Sequence, residues 1–147
     1  MRAHDPKRLA RIVEVRSLRA RAAEIAVAAS AAALRDADQA CDLASGGVEA
    51  ALGGWRRSVA ESIDLELTRF WAGQAGRSQD HLANCERELR RLREEKSRRE
   101  EAWASALAGS KAAEALHEAA RRRSRLQHEE RLLMAAEDRA AQRGSAR

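Results

Sequence analysis

Apolar and small residues recur every three or four positions along almost the whole chain, and this spacing predicts helix. Leu9, Ile12 and Val13 open the stripe, just after Asp5-Pro6, a pair suited to the start of a helix. From Ala20 to Ala40, 11 of 21 residues are alanine, which favours helix but offers a thin seam. The rhythm then becomes a heptad through Ala37, Cys41, Ala44, Val48, Ala51, Trp55, Ser58 and Ser62. It resumes at Leu82, Cys85, Leu89, Leu92, Lys96, Arg99, Trp103 and Ala106. Lys96 and Arg99 are expected to lay their stems over the seam while their charges reach water. Beyond Gly109 the phase is expected to shift to Leu116, Ala119, Arg123, Leu126, Glu130 and Leu133.

Between the two heptad stretches lies Gly73-Gln74-Ala75-Gly76-Arg77-Ser78, the expected bend. The predicted fold is all-α, a long two-helix antiparallel coiled-coil hairpin forming one domain over 1–147. Helix one is expected over about 6–72, the turn over about 73–78 and helix two over about 79–143. Arms of nearly equal length would pair end to end, each roughly 100 Å long at about 1.5 Å per residue. Facing residue numbers would then add to about 149. Two consequences follow. Trp103 would face Gly46, whose missing side chain would make room for the indole. Cys41 and Cys85 would lie about 35 Å apart as free thiols, as in a reducing compartment. Gly46-Gly47 and Gly53-Gly54 lie inside helix one, where four glycines cost about 4 kcal/mol relative to alanine.

Composition narrows the picture. Charged residues are 35% of the chain and aromatic residues 3%, with one Phe and no Tyr. This mix suits long helices and argues against sheet. The net charge is +5, but it is unevenly placed. Seven basic residues and two acids lie in Met1–Arg21, and eight basic residues and four acids in Arg121–Arg147. The middle is therefore acidic on balance. A hairpin would bring both basic ends to one tip, either as a plain solubilising surface or as a probe for an acidic cavity.

Catalytic chemistry has no foothold. His4, His81, His117 and His128 are scattered, with no His-Glu-x-x-His or Cys-x-x-Cys spacing and no phosphate-cradling glycine loop. No catalytic residue, cofactor or metal ligand is assigned, and an enzyme is not expected. Most carboxylates have an Arg or Lys one helical turn away, as with Glu86 and Arg90 or Glu94 and Arg98. The run Arg121-Arg122-Arg123-Ser124-Arg125 has no aromatic neighbour for base stacking, which argues against nucleic acid. No stretch approaches a membrane span, so membrane insertion is not expected. Phe70 and Trp71 are adjacent, so a helix sends them in different directions and at least one should be exposed near the bend. Such a ring suits a contact with another protein.

Three stretches, in order and spacing, resemble the flagellar export protein FliJ family and its type III injectisome counterpart, the YscO family. They are Arg8-Leu9-Ala10-Arg11-Ile12-Val13-Glu14-Val15-Arg16; Glu101-Ala102-Trp103 with Ala112-Ala113-Glu114-Ala115-Leu116-His117-Glu118; and Arg131-Leu132-Leu133-Met134-Ala135-Ala136-Glu137-Asp138-Arg139-Ala140-Ala141-Gln142-Arg143. The resemblance implies a cytoplasmic antiparallel coiled coil similar to the stalk of rotary ATPases, peripheral at the inner face of the bacterial cytoplasmic membrane when assembled. Its paired basic termini would enter the pore of a hexameric export ATPase and promote its assembly and activity. It implies further contacts with the cytoplasmic domain of the export gate and with export chaperones. On this chain the ATPase contact would fall to Lys7, Arg8, Arg11, Arg121, Arg122, Arg123, Leu126 and Leu133. Gate or chaperone contact near the turn would fall to Phe70 and Trp71. The Gly pairs depart from the family pattern. A generic coiled-coil scaffold, or a basic coiled coil associated with nucleic acid, remains as an alternative.

Overall fold

The computed structural model describes residues 6–61 and 64–145. They form two helices, α1 (Pro6–Glu61, 56 residues) and α2 (Leu65–Ser145, 81 residues). The two helices pack against each other as an antiparallel hairpin, so the fold is all-α. Two compact units divide it. One contains the described residues up to Ala22 and from Trp103 onward, and the other those of Ala23–Ala102.

The reversal falls between Glu61 and Leu65, not at Gly73 to Ser78, which lie inside α2. Asp64 supplies the physical reason. Its carboxylate accepts the Glu66 backbone N–H at 2.8 Å, and its carbonyl accepts the Thr68 N–H at 3.1 Å and the Thr68 hydroxyl at 3.0 Å. This is an N-cap, with Glu66 adding negative charge in the first turn. Gly73 and Gly76 cost about 1 kcal/mol each within a helix, which the surrounding helix can bear. Ser62, assigned to the heptad seam from sequence, lies outside the described residues.

The Ala23–Ala102 unit shows the seam. On α1 the inward positions include Ala37, Cys41, Ala44, Val48, Ala51 and Ser58, all buried or half-buried as the heptad spacing requires. Trp55 is the exception and is exposed. On α2 the expected Leu82, Cys85, Leu89, Leu92, Lys96 and Arg99 all face inward, and the same rhythm begins earlier, at Trp71, Ala75 and Ser78. The buried core is mostly small: Ala44, Ala51, Ala75, Cys41 and Ser58, with Leu89 the one large side chain among them.

Three cross-helix contacts fix the register. Trp71 lies over Gly54, where a Cβ would come within 2.6 Å of the indole. The Arg99 guanidinium donates to the Ala26 carbonyl at 3.3 Å and to the Ser30 hydroxyl at 3.2 Å. Arg93 reaches Asp38 at 3.7 Å. In these contacts the residue numbers add to between 125 and 131, well short of 149. In the other unit Arg16 donates to the Gly109 carbonyl at 3.1 Å, again a sum of 125. Moving the bend earlier moved every pairing with it.

Candidate partner-binding surface

Helix periodicity places Lys7, Arg8 and Arg11 on the first turns of α1, and all three are exposed. Arg8, Arg11, Arg16 and Arg19 wall a shallow open groove of about 550 Å³ whose floor includes Ile12 and Val15. No ion pair links Arg8, Arg11 or Arg19 to a carboxylate among the described residues. Arg16 is turned aside by its bond to the Gly109 carbonyl. Gly109 permits that approach, since a Cβ there would sit 3.2 Å from the guanidinium. The surface therefore combines an apolar strip with unneutralised cations, a chemistry suited to an acidic, partly apolar partner.

The register of Arg16 with Gly109 sets Lys7, Arg8 and Arg11 beside α2 residues of about 114–118. Arg121, Arg122 and Arg123 follow just beyond the first described residue of α1. From Arg121 to Arg143 every side chain is exposed except Ala135, which is half-buried. Leu126 is 58% exposed and Leu133 65%. The expectation of two paired termini is corrected accordingly. Among the described residues, α2 continues past the start of α1 as an unaccompanied basic helix. Arg122 pairs with Glu118 at 3.4 Å, both highly exposed.

The expected phase shift at Leu116 does not occur. Leu116 is 61% exposed, while the original rhythm continues through Ser110, Ala113, His117 and Ala120. A steady repeat of seven keeps the same face toward α1. His117 carries one orphan: its Nδ1 is buried with no hydrogen-bond partner among the described residues. A polar atom left so marks a weak point in the seam.

Phe70 and Trp71 separate as adjacent helical residues must. Phe70 is 55% exposed, and Trp71 is half-buried against Gly54. The two rings meet edge to face, with centroids 5.4 Å apart. Trp71 thus holds the helices together and presents Phe70 outward, six residues after Asp64. The glycine that admits an indole is Gly54, not Gly46. Nothing approaches within 4 Å of a Cβ at Gly46, and Trp103 is half-buried without it.

Of the two seam cations, one differs from expectation. Arg99, 40% exposed at its side chain, does not send its charge wholly to water. It crosses to α1, where the buried Ser30 hydroxyl itself donates to the Ala26 carbonyl at 2.6 Å, and it pairs with Glu95 on its own helix. Sequence reasoning missed this polar layer, because Ser30 and Arg99 face each other only in the observed register. Lys96 keeps the expected posture: its side chain is half-buried along the seam and its charge pairs with Glu100 at 2.7 Å on its own helix. The ion pairs along the helix surface among the described residues are Glu88 with Arg91, Arg91 with Glu95, Glu95 with Arg99, Lys96 with Glu100 and Glu118 with Arg122, rather than the two named from sequence. The Arg91 hydrogen bond holds the Glu88 carboxyl below its ordinary value, and Glu88 in turn raises Arg91.

Both cysteines are free thiols, as expected. Their separation along the helices is not as expected, because the observed register sets Cys41 opposite Cys85. Burial pushes the Cys41 thiol up, and neighbouring Cys85, Glu86, Asp38 and Asp42 add to that shift. No group of three or more His, Cys, Asp or Glu among the described residues could hold a metal ion. No helix among them is long and apolar enough to cross a membrane. No protein-family model, curated protein or solved structure matches this chain.

Proposed function

We propose that this chain is a non-enzymatic, stalk-like component of a type III protein-export apparatus, flagellar or injectisomal. It engages a hexameric export ATPase through its basic end and promotes assembly and activity of the ring. The observation that carries the reading is the basic end itself. An antiparallel hairpin presents the arginine-walled groove on α1, and α2 runs on past it with seven basic residues and four acids over 121–143. The sequence resemblance to the FliJ and YscO families supports the same reading. The apparatus contact is then made by Arg8, Arg11 and one projecting helix bearing Arg121, Arg122, Arg123, Leu126 and Leu133, rather than by a paired tip. Phe70, held outward by Trp71, is the contact for the export gate or an export chaperone. The protein works in the cytoplasm, peripheral to the inner face of the cytoplasmic membrane.

The test is to titrate the protein into its cognate export ATPase and follow ATP hydrolysis. The expected result is stimulation that saturates near about one chain per ring. Reversal of Arg8, Arg11, Arg121 and Arg122 to Glu should abolish it while helicity stays unchanged. Equal stimulation by that variant would remove the basic end from the mechanism.

A second reading has one observation in its favour. Leu126 and Leu133 are seven residues apart and exposed on an unaccompanied helix, as in a seam awaiting another helix. A scaffold built from two copies would use them. Sedimentation showing a stable dimer that Leu126→Glu dissociates, with no ATPase response, would favour it.

A further inference from the structure

The chain has two cysteines, and both face the seam of the Ala23–Ala102 unit. Cys41 is buried and Cys85 half-buried. Their numbers add to 126, within the range set by the flanking contacts of Asp38 with Arg93 and of Gly54 with Trp71. They therefore occupy one layer, flanked by the small inward residues Ala37 and Ala44 on α1 and by Leu82 and Leu89 on α2. The alanines on α1 let the helix backbones approach at this layer, as a disulfide requires. The Cys85 Sγ lies 3.8 Å from His81 Nε2. One helical step away an open groove of about 380 Å³ is lined by Leu43, Gly47, Gln74, Arg77 and His81. Its access is kept wide at Gly47, where nothing lies within 4 Å of a Cβ.

We infer that Cys41 and Cys85 form a dithiol modification site, which a small disulfide such as oxidised glutathione converts to an inter-helix crosslink. The inference is independent of the export reading. Cys85 is the more exposed thiol and attacks first. Its proton passes to His81, in the tautomer with Nε2 unprotonated, or to water. The Cys85 sulfur bonds to one sulfur of the small disulfide, whose S–S bond breaks and whose other half leaves as thiolate. Cys41 then loses its proton and attacks the Cys85 sulfur, expelling the second thiolate. Two protein thiols lose two electrons and two protons, and the small disulfide becomes two thiols. Cys41, held as a thiol by burial, is the resolving partner. A bridge between residues 41 and 85 clamps the two helices in one register. In a reducing compartment the site rests open, and oxidation closes it.

The experiment uses the full chain in glutathione redox buffers, read by intact mass, thiol titration and peptide mapping. The expected product is a monomer lighter by two hydrogens, with no free thiol and a Cys41–Cys85 peptide. Its yield should not depend on protein concentration, and its melting temperature should exceed that of the reduced chain. Cys41→Ser should stop at a glutathione adduct on Cys85. His81→Ala should slow closure without changing its end point. Glutathione adducts on the unaltered chain without a bridge, or a bridge only between two chains, would overturn the inference. So would two thiols that stay unreacted while the reduced fold is intact by circular dichroism.

Discussion

Two stretches of α2 are alike in sequence style and opposite in circumstance. Between Trp71 and Arg99 the inward residues are modest, with Ala75 and Leu89 the buried ones, yet the stretch is packed along α1. Between Arg121 and Arg143 there are Leu126, Leu132, Leu133 and Met134, all more than half exposed. Residue hydrophobicity does not decide which is buried. A facing helix does, and close approach of two helices selects alanine, serine and glycine for the interior. Large apolar side chains left outside such a seam mark surfaces available to something else.

The comparison breaks most sharply with a charge. Ala51 is 2% exposed, and Ala51→Glu should destabilise the hairpin by about 3 kcal/mol through overpacking and an unpaired buried charge. Leu133→Glu should change stability by less than about 0.5 kcal/mol, as an exposed substitution does. Thermal melts of both variants check the pair.

A subtler contrast lies within α1. Gly46→Ala should stabilise by about 1 kcal/mol, because its Cβ meets nothing and alanine favours helix. Gly54→Ala should destabilise by about 1–2 kcal/mol, because its Cβ would meet the Trp71 ring at 2.6 Å. Urea denaturation of the two variants should therefore show midpoints shifted in opposite directions.

Arg99→Met should leave stability within about 1 kcal/mol of the original, since the Arg99–Glu95 pair is partly exposed and such pairs add little net energy. What it should lose is uniqueness of register, seen as broadened distances between spin labels at the exposed positions Leu43 and Ala83. Finally, the raised Cys41 thiol favours folding while it is protonated. That contribution is complete below about pH 8.5, the ordinary thiol value, and is lost as pH rises through the higher folded value. Cys41→Ala should flatten this alkaline decline in stability, measured by melts across pH under reducing conditions.

Periodicity made the helices and most of the seam legible. Ala37, Cys41, Ala44, Val48, Ala51 and Ser58 on α1, and Leu82 through Ala106 on α2, all turn inward as their spacing required. The bend was misplaced because Gly73 and Gly76 are stronger turn signals on paper than Asp64, whereas in the folded chain a cap starts a helix and isolated glycines do not end one. Register has no local signal of its own and is inherited from the bend. One displaced turn therefore misplaced Trp103 against Gly46, parted Cys41 from Cys85, and paired the first turns of α1 with the last turns of α2, whereas the observed register sets them beside about 114–118. The exposed basic residues of the candidate surface were legible by type. The α1 groove around Ile12 and Val15 was not, because it depends on which face α2 covers.

Residue-resolved hydrogen exchange on the full-length protein tests the central contrast most directly. A helix without a neighbour is marginal in water, whereas a packed one opens only with the hairpin. The account predicts slow amide exchange from Trp71 to Ala113 and exchange faster by several orders of magnitude from Arg125 to Arg143. Equal protection across both stretches in a monomeric sample would contradict it.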